Sequence, residues 1–288
     1  MRSSATLGLL KAPARLTVVL AVSIIAGCDV GRLILTADPW DPPPEPATAN
    51  APLPRAACTH VVEERQPLFG DLHLHTSLSM DANSLGTRTL PDDAYAFAMG
   101  TPIALYGGAP GAESKIIQID RPLDFAAVTD HAEWMAEVSL CTTPGSHSYS
   151  SAGCAIYRGE RESLLAKALG AKGFRARIAG LIEIGGRRED VCDEDQTTCR
   201  RELRNVWQSV QASAERWYDR SSDCSFTTFN AWEYSRSPQS TKIHRNIILR
   251  NEIAPELPIS ALETPVEMDL RRQLLEQCND SGSGCEAI

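Results

Sequence analysis

Short apolar runs that read as strands alternate along this chain with stretches whose apolar residues recur every three to four positions. The first run opens at Leu68 and Phe69 and continues through Leu72, His73, Leu74 and His75, which predicts a buried strand leading into a loop. Pro91-Asp92-Asp93 predicts a helix start, with proline in the first turn and carboxylates near the positive end; Gly100 is the predicted stop. Residues 122–131 predict a second buried strand that ends in polar residues, and 132–140 a helix. Strand character returns over 225–234 and over 242–250. Between them, residues 141–224 are charged and helical in period. Leu203, Val206, Trp207, Val210, Ala214 and Trp217 share one face there, the pattern of core packing. Strands alternating with helices predict an α/β fold with a largely parallel sheet, whose functional residues collect at the carboxyl ends of the strands.

Two N-terminal segments fall outside that pattern. Basic Arg2, Lys11 and Arg15 precede an apolar run over 16–25 that is too short to span a membrane as a helix. Ile25-Ala26-Gly27-Cys28 follows and resembles the lipobox of bacterial lipoproteins. This predicts a signal peptide over 1–27, a lipidated Cys28, and a membrane-anchored location in the cell envelope facing the periplasm; an ordinary signal peptide is the alternative. Asp29 resembles an inner-membrane retention signal. Residues 28–57 contain Asp38-Pro39-Trp40-Asp41-Pro42-Pro43-Pro44-Glu45-Pro46, which reads as an extended tether. The globular part is then expected over 58–288.

Composition narrows the function. With 288 residues, 43% of them hydrophobic, the chain can bury a substantial core. A formal net charge of -9 argues against a nucleic-acid partner or an anionic membrane surface, both of which call for a basic face. Nine cysteines leave an even set once Cys28 is set aside, and in an exported protein that favours disulfides. About 105 connectivities are possible. Local pairs Cys141 with Cys154, Cys192 with Cys199 and Cys278 with Cys285 each bracket a polar loop, which leaves Cys58 for Cys224. The absence of any CxxC spacing counts against a zinc knuckle.

The candidate chemistry lies at the strand ends. Side chains two apart in a strand share a face, so His73 and His75 project together while Leu72 and Leu74 point the other way. Asp81 lies just beyond them, Thr129-Asp130-His131 ends the second strand, and Glu233 lies near the end of the third. Imidazoles and carboxylates converging in this way predict a metal site. His244 stands at the start of its run and fits the pattern less directly. Arg245 alternates to the face opposite His244. His60 and His147 read as solvated loop residues. No GxSxG motif competes as a nucleophile.

Gly70-Asp71-Leu72-His73-Leu74-His75-Thr76 with Asp81, followed by residues 122–131, resembles the first two motifs of the PHP (polymerase and histidinol phosphatase) metallohydrolases. More narrowly, the sequence resembles the bacterial PHP-like family catalogued as domain of unknown function 3604. Phe226-Thr227-Thr228-Phe229-Asn230-Ala231-Trp232-Glu233-Tyr234 and Ile243-His244-Arg245-Asn246-Ile247-Ile248-Leu249-Arg250 resemble that family's next two motifs, and the helical, cysteine-bearing insert over 141–224 is also similar.

The resemblance implies a distorted (β/α)7 barrel with two or three divalent metal ions (Zn, Mn or Fe) at the strand ends. His73 and His75 would hold one ion, Glu233 would bridge it to a second held also by His244, and Asp81 and His131 would share a third. Asp130 would orient a ligand; Asp71 would do the same or serve as a strand-end solvation residue. In the family a Pro-His-Asn motif would come directly after Ile288, so the expectation is an incomplete barrel, the N-terminal part of an enzyme. The implied activity is a metal-dependent hydrolase of small-molecule phosphate esters, with Glu233 catalytic. The alternatives are a non-catalytic metal-binding lipoprotein, an enzyme fragment, or an amidohydrolase-like enzyme, for whose bridging lysine and late aspartate no residue stands out.

Overall fold

The computed structural model describes residues 55–61, 63–105, 115–183, 186–236, 242–250 and 252–262. The predicted signal peptide, Cys28, almost all of the tether and the Cys278/Cys285 pair lie outside these residues. In chain order the elements are β1 (Gly70–Leu74), α1 (Met80–Leu85), α2 (Pro91–Ala98), β2 (Ile103–Leu105), β3 (Lys115–Ile117) and β4 (Phe125–Val128). Next come α3 (Met135–Thr142), α4 (Ala152–Arg158), α5 (Leu164–Ala168), α6 (Phe174–Ile178), β5 (Ile182–Glu183), β6 (Gly186–Arg187) and α7 (Glu189–Cys192). The last are α8 (Thr197–Trp217), β7 (Thr227–Phe229), β8 (Ala231–Arg236) and β9 (Ile243–Ile248).

Helices and sheets are mixed, as the alternating pattern predicts. β1, β4 and β7 form a three-stranded parallel sheet in the order β1-β4-β7, and three antiparallel pairs (β2 with β3, β5 with β6, β8 with β9) complete the described strands without closing a barrel. No helix among the described residues is long and apolar enough to cross a membrane.

Three local expectations are corrected. β1 is an edge strand among the described residues, so Leu72 stays 38% exposed and Leu68 and Phe69 are exposed too, not buried. The apolar run over 225–234 is not one strand. It breaks at Asn230, and β8 leaves the parallel sheet to pair with β9. The helix foreseen over 132–140 begins only at Met135, because Trp134 adopts a left-handed backbone (φ 59). The second helix follows its signals more closely. Pro91 opens α2, the Asp93 side chain accepts from the Leu90 N–H, and Gly100 (φ 89) turns the chain away.

The long helix buries the face its period predicts: Leu203, Val206, Trp207, Val210 and Ala214 are buried and Trp217 partly so. Trp207 packs edge-on against Trp232 of β8, with ring centroids 5.4 Å apart. The apolar residues of 141–224 thus share one core with Trp232, Tyr234 and Ile247 of the β8–β9 pair. A second cluster, formed by Tyr95, Ala98, Ala126, Val128, Ala214 and Phe226, fills the space between α2, α8 and the parallel sheet. Disulfides Cys141–Cys154 and Cys192–Cys199 staple the helical region, and Cys58–Cys224 ties the chain before β1 to the loop before β7. All three match the expected pairs.

Candidate metal centre

The sheet delivers its polar strand ends to one point. β1 and β4 run parallel, so the residues that follow each of them emerge at the same edge. The register between them shifts between Asp71 and Leu74, an irregularity that falls on the stretch carrying His73. Such bulges re-aim side chains next to functional sites. Leu74 packs on the cluster under the sheet, whereas His73 and His75 face the other side, with ring centroids 5.0 Å apart. His131 pairs with Glu233 through a parallel bridge: Ala132 N–H donates to Glu233 O, and Glu233 N–H to Asp130 O.

Glu233 is the hub. Its side chain is fully buried, and Oε2 lies 2.9 Å from His73 Nε2 and 2.8 Å from His75 Nε2. The other oxygen, Oε1, contacts Nδ1 of His244, stands 3.6 Å from Nδ1 of His131, and accepts the Ser235 hydroxyl at 2.7 Å. Asp81 closes the far side, with Oδ1 3.2 Å from His75 Nδ1 and Oδ2 3.5 Å from His131 Nε2. Three triads therefore offer ligand atoms within 4.8 Å of one another: His73/His75/Glu233, His75/Asp81/His131 and His131/Glu233/His244. A fourth group, Glu137 with Cys192 and Cys199, has its sulfurs committed to a disulfide.

All six ligands expected from the sequence are thus brought together. His244 joins for a reason that a parallel sheet hides: β9 is antiparallel to β8, so the start of β9 lies beside the end of β8, with Ser235 opposite His244. Asp130 and Asp71 touch backbone and a hydroxyl, not imidazoles. Buried Asp130 accepts from the Thr76 N–H (2.5 Å) and hydroxyl (2.6 Å), fixing the residue after His75, while Asp71 accepts the His73 N–H at 2.9 Å. His147 faces Asp193 at the surface and His60 is exposed, so neither belongs to the site.

Sequence reasoning passed over Ser79, Ser235 and Glu133. The Ser79 hydroxyl donates to Asp81 Oδ1 at 2.6 Å. Ser235 Oγ is 2.9 Å from His131 Nδ1, and Glu133 Oε2 is 3.7 Å from the same nitrogen. Ser235 lies two residues past Glu233 in the same strand, so the rule that pairs His73 with His75 could have found it; Glu133 lies in the turn after His131, where strand alternation gives no signal.

The electrostatics test whether cations fit. Imidazoles and two serine hydroxyls, Ser79 and Ser235, face the Asp81 and Glu233 carboxylates. Burial pulls the His75 imidazole down, but hydrogen bonds to Asp81 and Glu233 outweigh it and raise it to about 9. His131 is likewise lowered by burial and raised, by Asp81 and Glu133, to about 10. Burial works against the charged forms of Asp81 and Glu233, yet their histidine and serine contacts hold both well below the usual carboxylate range. Burial pushes Asp130 up to about 6 against the pull of its bonds to Thr76. Both nitrogens of His75 and both of His131 face carboxylate oxygens, so a neutral ring would set lone pair against lone pair. Protons on those rings satisfy the arrangement. So do divalent cations between nitrogen and oxygen, and a set of imidazoles and carboxylates is the donor chemistry of zinc, manganese or iron.

Residues 62–288 match the family described as Protein of unknown function (DUF3604), and the chain belongs to that family. No curated protein and no solved structure is matched by the chain.

Proposed function

We propose that this member of the family is a metal-dependent hydrolase of the PHP type, acting on small-molecule phosphate esters and built on the strands of a (β/α)7 barrel. The observation that carries the reading is the Glu233 carboxylate, which sets one oxygen against His73 and His75 and the other against His244 and His131. A carboxylate spanning two groups of imidazoles is the arrangement that would hold two cations side by side. His73, His75 and Glu233 would hold one ion, Glu233 and His244 a second, and Asp81 and His131 a third.

Bound there, divalent cations would lower the pKa of a water and clamp the oxygens of a phosphoryl group in an in-line displacement. The chain's own part is to position and to shield. Glu233, without solvent contact, keeps the two sides of the site in fixed relation. His73 and His244, with side chains 54% and 46% exposed, mark the open side where a substrate can approach. Asp130 and Asp71 hold the backbone on which the first two histidines stand. The lipobox-like Ile25-Ala26-Gly27-Cys28 supports placing the enzyme at the cell envelope, anchored through Cys28 and facing the periplasm.

The test is metal analysis of the purified chain, together with hydrolysis of generic phosphate mono- and diesters before and after chelation. Bound Zn, Mn or Fe with chelator-sensitive turnover supports the proposal. Metal without turnover would leave a cation-capturing role, and a chain that binds no metal would refute both.

A further inference from the structure

Glu133 is 2% exposed. Its Oε1 accepts two backbone N–H groups, from Ser235 at 3.1 Å and from Ala261 at 2.9 Å. Its Oε2 is shut off from solvent and has no hydrogen-bond partner among the described residues. The group facing that oxygen is Nδ1 of His131, at 3.7 Å. The Ser235 hydroxyl reaches the same nitrogen at 2.9 Å, and Nε2 of the ring faces Asp81 at 3.5 Å. A buried oxygen without a donor destabilises the fold, and more so when the group is charged. A site that retains one needs a reason.

We propose that Glu133 is a positioning residue that keeps the proton of His131 on Nδ1, so that Nε2 offers its lone pair to a cation shared with Asp81. The inference rests on the metal-centre reading above. Ser235 gives its one proton to Glu233 Oε1 and so offers Nδ1 a lone pair; Glu233 Oε1, 3.6 Å from the same nitrogen, is assigned to cations in that reading, which leaves Glu133 as the carboxylate free to favour the proton on Nδ1. The 3.7 Å separation is longer than a hydrogen bond, yet the negative charge still favours the ring form with its N–H turned toward it. Histidines that bind metals commonly give their second N–H to a carboxylate, which fixes the tautomer and raises the basicity of the ligating nitrogen. The two backbone bonds on Oε1 keep the carboxylate in place by tying it to β8 and to residues 259–262.

Glu133→Gln separates this role from a structural one. The amide oxygen can retain both backbone bonds, while its NH2 group turns toward His131 and favours the proton on Nε2. In equilibrium dialysis of the full chain against Zn2+ alone, one class of bound zinc should weaken by roughly 10–100-fold while the others hold. The metal-free melting temperature should stay close to that of the parent. In the zinc-loaded parent, 15N NMR should find His131 protonated at Nδ1, a measurement that decides the matter even if the variant fails to fold. Unchanged zinc affinity in Glu133→Gln, or coordination of His131 through Nδ1, would overturn the role of Glu133 alone. A parent chain that takes up no zinc would overturn the metal-centre reading and this inference with it.

Discussion

Glu233 and His244 meet across an antiparallel strand pair, the only local geometry that puts the first turn of one strand beside the last turn of the other. Because Ser235 opposes His244, the imidazole reaches back to Glu233 Oε1 while His73 and His75 take up Oε2. Glu233→Ala should therefore strip cations from both sides at once. Losing a mere partner of a ligand costs roughly 10–100-fold in metal affinity, and losing a carboxylate shared by four rings should cost more. His244→Ala should remove cation from its own side only. Metal content after dialysis, measured for both variants, checks the contrast; equal losses in the two would count against a bridging carboxylate.

The sequence carried the site further than it carried the fold. Period-2 alternation was enough to pair His73 with His75, and strand-end position was enough to add His131 and Glu233. His244 was harder, because a run of apolar residues does not declare its direction, and only a reversal at β8–β9 brings its start to the site. The break at Asn230 was invisible for a related reason: the residues on either side of it are equally suited to strands. Exposure of Leu72 was missed because burial belongs to the neighbours of a strand and not to its own pattern. The face of α8 was legible throughout, since a helix long enough to repeat its stripe several times carries its own evidence.

The three disulfides among the described residues differ in reach and in protection. Cys141–Cys154 and Cys192–Cys199 are fully buried, with separations of 13 and 7 residues, while Cys58–Cys224 spans 166 and is partly exposed. Mild dithiol treatment of the folded protein should open Cys58–Cys224 first. Alkylation and mass spectrometry should label Cys58 and Cys224 well before the other four. Loop-closure entropy assigns the long bridge about 5 kcal/mol against roughly 2–3 for the short ones, so Cys58→Ser with Cys224→Ser should lower the melting temperature markedly. Labelling of Cys192 or Cys141 at the same rate would contradict the burial order.

Trp207 couples the long helix to the site from behind. Its indole N–H donates to Pro255 O at 2.8 Å and its ring packs on Trp232, the residue before Glu233. Trp207→Ala should cost about 3–5 kcal/mol, the usual range for a large buried aromatic. Trp207→Phe should retain most of the packing but leave the Pro255 carbonyl without its donor, at about 1–3 kcal/mol. Denaturant melts of both variants check the order, and a near-neutral Trp207→Ala would show that the helix contributes little to the sheet.

On the proposed metal reading, protons and cations would compete for the same nitrogens, and the direction of that competition can be measured. In the metal-free protein His75 and His131 are raised to about 9 and about 10 from an ordinary value near 6.5. A raised imidazole contributes stability that is complete below its unfolded value and is lost as pH climbs through its folded one. The depressed carboxylates Asp81 and Glu233 contribute above their unfolded values, near 4, and lose that contribution only on acidification. Asp130, pushed up to about 6, has largely finished titrating below the window of interest. The melting temperature of the metal-free chain should therefore fall between about pH 6.5 and 9. Zinc binding must expel the protons from His75 and His131, so affinity should rise across the same interval, by up to about tenfold per pH unit for each proton released. Calorimetry in buffers of different ionisation enthalpy reads the proton count directly. The loaded and metal-free proteins should thus show melting temperatures that diverge with pH. Parallel curves would mean that the cation, if bound, sits on nitrogens other than these two.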